Sequence, residues 1–471
     1  MKLALISLID MDKLSPPMGL VSIATYLDKC INFKNTTIVD ANFEDIIERT
    51  LEIKPDLIGI SAMTIRYAEA IKTAKKIKEK LNVPIFIGGV HISTLPTSLD
   101  KVFDFGIIGE GEETILEVVK NFEENGLKNL KKIKGLVFYE NNKITFTGLR
   151  EVIEPIDKIP IPDRSFLNKE YLNQIVVTRD KKSGHFANMF TSRGCPYRCT
   201  FCSTARFWSK IRFNSPKRVV EEIKYLINDY NVKQISILDD LFTMNLPRLK
   251  EIAKIIKEER LNEKVSFICC QRTNQLSDEL FQLLKDINVT CTYFGFESGS
   301  NRMLKEYRKG TTVEQNIKAI KQCEKFGLRF SGSIIFGAPN ETLEDMDKSL
   351  ELIDIIIKSK AVDNVWTMVM MPFPGTELWE VAKKRGVVSD NMDWNKFSHY
   401  KSENAMLLDK EIPYEEFRKR WLSSKLKLKK LIWRRARENF FKHPLTSVHT
   451  IIKKPYLIRN VLFKKYVVDV G

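Results

Sequence analysis

Three thiols fall within eight residues at Cys195-Pro196-Tyr197-Arg198-Cys199-Thr200-Phe201-Cys202, spaced x3 and x2. Whatever fold surrounds this stretch must present three soft ligands to one point. Thiolates this close together suit an iron–sulfur cluster or zinc. A four-iron cluster ordinarily takes four cysteines. Three would leave one iron open to a small molecule, which suits catalysis better than electron carriage. The alternatives are a zinc knuckle or packed thiols without metal. Zinc would want a fourth Cys or His nearby, and the closest histidine is His185, ahead of the loop.

The 471 residues are too many for one core, and at about 150 residues per domain they predict two or three domains. A chain with 43% hydrophobic and 29% charged residues has a globular composition. No apolar run approaches the roughly 20 residues of a membrane helix. The segment Met1–Asp10 has a short apolar core without a cleavage site, so it reads as a first strand rather than a signal peptide. Eight cysteines in this length make no disulfide framework and point to a reducing cytoplasm.

In residues 1–130, apolar runs alternate with helical patterns. The predicted strands are Lys2–Leu8, Thr36–Val39, Asp56–Ile60, Pro84–Ile87 and Phe105–Ile108. The predicted helices are Leu20–Lys29, Phe43–Ile53, Tyr67–Leu81 and Glu112–Glu124. This rhythm argues for a doubly wound parallel sheet, which binds ligands at the carboxyl ends of its strands. Those ends carry Pro17-Met18-Gly19, then Ser61 with Met63-Thr64, then Gly88-Gly89-Val90-His91, then Gly109-Glu110-Gly111. Glycines there let a ligand approach the backbone. No G-x-G-x-x-G follows the first strand, which argues against a dinucleotide.

Taken in order, these four loops resemble the cobalamin-binding domain at the N-terminus of many radical enzymes. The resemblance implies that their residues bind cobalamin. Members that use a histidine as lower cobalt ligand carry Asp-x-His-x-x-Gly after strand one. Here Asp10-Met11-Asp12-Lys13-Leu14-Ser15 has no histidine, so no such ligand is expected from that loop. His91 is expected to be a hydrogen-bonding loop residue rather than a cobalt ligand.

Residues 131–180 read as a connector. Gly135–Glu140 and Lys143–Thr147 flank Asn141-Asn142, which predicts a hairpin. Pro155, Pro160 and Pro162 then interrupt regular structure.

The βα rhythm returns in residues 181–400. Strands are predicted at Asn188–Ser192, Gln234–Leu238, Ser266–Gln271, Thr290–Phe296, Phe330–Phe336 and Asn364–Met371, with helices between them. Six such units make a partial (β/α)6 barrel, active at its strand ends. The cysteine loop with Phe201 resembles the signature of the radical S-adenosylmethionine (SAM) family. Four further strand ends agree in order: Asp239-Asp240, Gly295-Phe296-Glu297-Ser298-Gly299, Gly332–Pro339 and Pro372–Thr376. With the N-terminal half, residues 1–400 resemble the cobalamin-binding radical SAM proteins.

The resemblance implies that Cys195, Cys199 and Cys202 hold a [4Fe-4S] cluster whose open iron takes the SAM methionine. Phe201 would lie against adenine. Asp239 and Asp240 would meet the SAM amino group, although the usual Gly-Gly-Glu is absent there. Glu297 and Ser298 would reach the ribose, and Ile335 and Gly337 would border adenine. It further implies cleavage of SAM to a 5′-deoxyadenosyl radical, using an electron from an external one-electron reductant. Cobalamin would then deliver a methyl group to an unactivated carbon of a small-molecule or lipid-like substrate. The alternatives are a radical cyclase or rearrangement enzyme, an RNA-modifying enzyme, and a non-catalytic iron–sulfur or cobalamin carrier. Methylthiolation fits poorly, because residues 1–130 hold only Cys30 where that branch has a second cluster domain. Of the remaining thiols, Cys269, Cys270, Cys291 and Cys323 read as core residues.

The charge is uneven. From Tyr414 to Gly471 there are 16 Lys and Arg against 4 Asp and Glu, so +12 of the net +16 sits in the last segment. Residues 401–471 read as a basic helical tail, Tyr414–Lys442 and then Leu445–Lys465. One reading packs the first helix on the barrel with its charges in water. The other gives it a reversible, peripheral contact with an anionic membrane and a lipid-borne substrate. Nucleic acid fits the same composition but is not the expected partner.

Overall fold

The computed structural model describes residues 1–8, 15–177, 183–397 and 402–442. Two compact units divide it: Met1–Tyr293 with Pro372–Phe397, and Phe294–Met371 with the described residues beyond 401.

In the first unit, strands β1 (Leu3–Ser7), β2 (Thr36–Asp40), β3 (Leu57–Ser61), β4 (Ile85–Gly88) and β5 (Phe105–Ile107) form a parallel sheet. Helices α1 (Met18–Ile31), α2 (Ile46–Ile53), α3 (Tyr67–Lys78), α4 (Val90–Thr94) and α5 (Glu112–Asn125) join or follow the strands. Every predicted strand forms, within about a residue of its expected ends. β6 (Leu136–Glu140) and β7 (Lys143–Phe146) make the expected hairpin. Asn141 and Asn142 both stand at positive φ, 49° and 60°, as a two-residue turn of right-handed twist requires. The hairpin belongs to the sheet rather than to a connector. β6 pairs antiparallel with β5, and the order is β2-β1-β3-β4-β5-β6-β7. The order reverses at β1, and such a switch point opens a crevice at the strand ends.

Leu3, Leu5, Phe86, Phe105, Ile115 and Val118 share one core over this sheet. Phe86 lies flat on β3 because Gly59 has no side chain, and a Cβ there would stand 2.2 Å from its ring. Gly89 takes φ +96°, and a Cβ would meet the Ala62 carbonyl at 2.7 Å. That bend starts α4 and turns His91 into the interior.

Past the connector come β8 (Ile175–Val177), β9 (Ser183–Met189), β10 (Ser192–Arg193), β11 (Arg212–Phe213), β12 (Val232–Ile237) and β13 (Ser266–Gln271). β9, β12 and β13 are parallel neighbours, and β8 runs antiparallel to β9. Their helices are α6 (Thr204–Phe207), α7 (Pro216–Tyr230), α8 (Leu246–Glu258) and α9 (Asp278–Asp286). α7 starts on a Ser215 cap with Pro216 in its first turn, a favoured helix entry. The first barrel strand lies earlier than the predicted Asn188–Ser192. It ends at Met189 because Thr191 and Ser192 bend toward the Asp239 carboxylate. β14 (Val289–Glu297) leads into the second unit. There α10 (Asn301–Glu306), α11 (Val313–Phe326), β15 (Arg329–Phe336), α12 (Leu343–Lys358) and β16 (Val362–Val369) continue the alternation, with β15 parallel to β16. α13 (Glu377–Lys384) belongs to the first unit.

α14 (Tyr414–Lys442) has the predicted bounds. Much of its charge is spent inside the second unit. Arg420 makes a fork to Asp347 at 2.9 Å on both arms, Lys427 reaches Asp354 at 2.5 Å, and Arg435 reaches Asp363 at 2.8 Å. Phe417 and Trp421 are buried, and Trp421 meets Phe336 edge-on. The packed reading therefore holds for this helix, and these pairs give no support to a peripheral membrane contact. Leu426, Lys429, Lys430 and Trp433 remain exposed. Leu445–Lys465 lies outside the described residues. Among the described residues no helix is long and apolar enough to cross a membrane.

His91 is fully buried. Its Nδ1 is 3.2 Å from Thr64 Oγ1 and its Nε2 3.0 Å from Ser98 Oγ. Its ring lies over Tyr67 at 3.8 Å and meets Trp394 edge-on at 4.5 Å. Burial holds its pKa down to about 3. The unfolded chain takes up this proton near pH 6.5 and the folded one only near 3, so stability falls as pH drops through that window. The slope is about 1.4 kcal/mol per pH unit. H91Q is expected to remove that component. Denaturant midpoints between about pH 6 and 4.5 should fall less steeply for H91Q than for wild type, and parallel slopes would contradict the assignment.

Candidate active site

The cysteine loop is the connection of a small hairpin. β10 and β11 pair antiparallel, Ser192 with Phe213 and Arg193 with Arg212, and residues 194–211 loop out between them. Asp239, at the end of β12, holds the hairpin's base. Its carboxylate accepts from Thr191 N at 2.6 Å, Thr191 Oγ1 at 2.5 Å, Ser192 N at 3.1 Å and Ser192 Oγ at 2.6 Å. Burial raises its pKa despite those donors. Asp239 is therefore committed to the backbone of the hairpin. Asp240 accepts a longer bond from Thr204 Oγ1, 3.3 Å, and a backbone bond from Gly194. Its pKa is pushed up to about 6 by burial and by the neighbouring Asp239. Of the two expected amino-group ligands, Asp240 is the one with a carboxylate to spare.

Cys195, Cys199 and Cys202 are half-buried and unbridged, and Phe201 beside them is half-buried too. Burial raises the thiols of Cys195 and Cys202. Arg272, just past β13, answers this. Its Nη1 stands 3.7 Å from Cys199 Sγ, and its guanidinium lies 3.4 Å over the Tyr197 ring. Its Nε and Nη2 are buried without a hydrogen-bond partner. A buried cation with two unspent donors beside three thiols fits an anionic cluster and its ligand. Among the described residues no three His, Cys, Asp or Glu side chains are gathered as a single ion would require. Leu378 N donates to Thr200 O at 3.3 Å, tying the loop to the segment that follows Gly375-Thr376.

A cavity of about 290 Å³ opens at the carboxyl ends of the first sheet. Met18, Gly19, Ser61, Gly88, Gly89, Gly109, Glu110 and Gly111 line it. At Gly19, Gly88 and Gly109 a Cβ would meet nothing within 4 Å. The glycines thus leave open space beside bare backbone, over an apolar floor of Leu5, Ile60, Phe86 and Ile107. A flat, largely apolar macrocycle fits such a cradle. Pro17, Met63, Thr64, Val90 and His91 are not in the lining. Met63 is exposed, and Thr64 and His91 are buried against each other. The loop from Asp10 to Leu14 lies outside the described residues.

In one wall of the cavity Glu110 was expected, but its partners were not. Arg193 Nη1 lies 2.6 Å from Glu110 and Nη2 2.5 Å from Glu112, while Arg212 also binds Glu110. Ser22 donates to Glu112 at 2.7 Å. Burial alone would push Glu112 up, yet Arg193 and Ser22 hold it below the usual carboxylate range. The Glu-x-Glu spacing in Gly109-Glu110-Gly111-Glu112 was the only sequence signal for this network.

In the second unit, Glu297 closes β14 at φ +62°, a left-handed conformation that a non-glycine residue adopts at a cost. Its carboxylate pairs with buried Lys309 at 2.7 Å and accepts from Ser333 Oγ at 3.2 Å. Lys309 was missed, since nothing in sequence links it to β14. Ser298 is buried and shares hydrogen bonds with Ser349 Oγ and Ser300 N. Ile335 is nearly buried. Gly337, at φ +78°, approaches Phe417 of α14 and donates to Glu341 at 2.6 Å.

Comparison with known proteins places this geometry. Residues 189–353 match the radical SAM superfamily and residues 8–119 the B12 binding domain. An uncharacterized methyltransferase of Pyrococcus horikoshii is 33% identical over 392 residues, which covers 81% of this chain and 82% of the relative. The anaerobic magnesium-protoporphyrin IX monomethyl ester cyclase of Cereibacter sphaeroides is 27% identical, over 75% of this chain and 57% of the cyclase. The fold is that of TsrM, a radical S-adenosylmethionine methyltransferase from Kitasatospora setae. Its structure with cobalamin and a [4Fe-4S] cluster matches with TM-score 0.65 at 18% identity, over 81% of this chain and 75% of TsrM. OxsB, a cobalamin-dependent S-adenosylmethionine radical enzyme, matches with TM-score 0.66 at 19% identity, over 84% of this chain and 63% of OxsB.

The chain therefore belongs to the cobalamin-binding radical SAM family. It is a radical SAM enzyme of the methyltransferase type, with a [4Fe-4S] cluster, SAM and cobalamin as its cofactors. The fold class expected from the sequence is borne out: a doubly wound sheet, a partial (β/α)6 barrel of radical SAM type and a basic C-terminal helix.

The Asp239 clamp gives a direct test. Asn in its place keeps the size but turns an NH2 toward donors and leaves buried N–H and O–H groups unsatisfied. D239N is expected to lower stability by about 3 kcal/mol, read from its denaturant midpoint. It should also leave less iron bound after reconstitution, because the base of the cysteine loop comes loose.

Proposed function

We propose that this enzyme methylates an unactivated carbon of a small molecule. The observation that carries the proposal is the wall shared by the two halves of the first unit. Arg193, two residues before Cys195, lines the same cavity as Gly88, Gly89 and Gly109. A substrate in that space would meet both cofactors' loops. When bound, the cluster with SAM supplies one-electron cleavage chemistry and cobalamin supplies a transferable methyl group.

The protein's residues bind, orient and exclude water. Cys195, Cys199 and Cys202 would hold the cluster, with Arg272 offsetting its negative charge. Asp240 would take the SAM amino group, and Phe201 would cover adenine. Met18, Gly19, Ser61, Gly88, Gly89, Gly109 and Gly111 would carry the corrin face. Apolar side chains on the cavity floor keep water from the reacting carbon. A one-electron donor from outside the chain supplies the electron. The small-molecule reading is preferred over a lipid-borne substrate because α14 spends Arg420, Lys427 and Arg435 on α12 and β16. The cyclase of Cereibacter sphaeroides named above carries a magnesium-protoporphyrin IX monomethyl ester in its name, which supports a small molecule. That cyclase keeps ring formation as the alternative outcome.

The joint variant C195A/C199A/C202A is expected to lose its iron–sulfur absorbance and all 5′-deoxyadenosine formation under reduction. Product mass then separates the two chemistries. A gain of one methyl group supports the proposal, and loss of hydrogen with ring closure overturns it. A joint variant that still cleaves SAM would remove the cysteines from the site.

A further inference from the structure

Arg193 takes part in two structures at once. Its backbone belongs to β10 and leads within two residues to Cys195, while its guanidinium lies in the cavity wall. There it forks across Glu110 and Glu112, the carboxylates on either side of Gly111. Arg212, its direct partner on β11, also binds Glu110. Like charges directly across a strand pair repel, so the hairpin closes comfortably only with the Glu110 carboxylate between the two arginines. The side chains of Glu110 and Glu112 are 11% and 5% exposed, so neither can turn to water if the hairpin moves. The base of the cysteine loop is thus held from two sides, by Asp239 of the barrel and by Glu110 and Glu112 of the first sheet.

We infer that this clamp makes occupancy of the cysteine loop and occupancy of the cavity depend on each other, with Arg193 as the positioning residue. The inference rests on the proposed reading that the loop holds the cluster and the cavity takes cobalamin. Three anchored thiolates give residues 194–211 one arrangement and fix Arg193 against its carboxylates. Without that anchor the hairpin gains freedom and the clamp opens part of the time. Buried carboxylates then stand unpaired in the cavity wall, and the cavity is no longer shaped for a largely neutral ligand. Linkage makes the effect reciprocal: whatever the cluster adds to cobalamin affinity, cobalamin adds to cluster retention.

The test uses the full chain in two forms, reconstituted with its cluster and stripped of it by a chelator, and titrates each with hydroxocobalamin. In wild type the cluster-loaded form is expected to bind at least about five-fold more tightly, the lower end of ordinary coupling between sites. In R193Q, shown to carry its cluster by iron content, the ratio should fall to near one. R193K keeps the charge without the fork and should retain part of the ratio. E112Q, which leaves Arg212 and Glu110 in place, gives the same reading should R193Q fail to fold. A merely structural role for Arg193 would weaken both forms alike and leave the ratio unchanged. A ratio near one in wild type, or an undiminished ratio in R193Q or E112Q, overturns the inference while leaving cobalamin binding intact. Failure of wild type to bind hydroxocobalamin in either form would overturn the proposed function as well.

Discussion

The candidate site depends on one buried carboxylate. Asp239 sits at the end of β12, out of water, and accepts four hydrogen bonds from two consecutive residues, Thr191 and Ser192. A carboxylate buried this deeply is tolerable only when its lone pairs are met. Meeting them ends β9 at Met189 and lifts the chain out of the barrel as a two-stranded hairpin. The cysteine loop is the tip of that hairpin. The three thiols sit on the loop that this clamp holds at its base.

The same economy governs the charges around the loop. Burial raises the thiols of Cys195 and Cys202. Arg272, seated on Tyr197, is the cation aimed back at the loop. Across the cavity the opposite arrangement holds, with Glu112 kept ionised by Arg193 and Ser22. Both arrangements place a full charge where water is scarce, which costs stability unless its partner is fixed. In both, the partner comes from a distant part of the chain: Arg272 for Cys199, Arg193 for Glu112.

The C-terminal helix illustrates how composition misleads. Its surplus of lysine and arginine suggests an outward electrostatic surface. Asp347, Asp354 and Asp363, on α12 and β16, meet Arg420, Lys427 and Arg435 instead. Exposed pairs of this kind contribute little each, so the anchoring comes mainly from Phe417, Trp421 and Leu431, all buried.

The sequence by itself determined the elements and the chemistry. Period-2 patterns marked the strands of the first sheet almost to the residue, and period-3.6 patterns its longer helices to within about three residues. The cysteine spacing and the glycine-rich strand ends marked both candidate loops, because such motifs are local: ligand spacing and backbone freedom are written in adjacent residues. Only the tertiary structure decided what meets what. The β6–β7 hairpin reads locally as part of a connector and joins the first sheet because β5 offers it an open edge. Asp239 and Asp240 look equivalent in sequence, and only packing commits the first to Thr191 and Ser192. His91 reads as a loop histidine and is a core one, turned inward by the bend at Gly89. Arg193, Arg272 and Lys309 carried no signal at all, since a buried contact between residues that are not neighbours in sequence exists only once the chain has folded to bring them together.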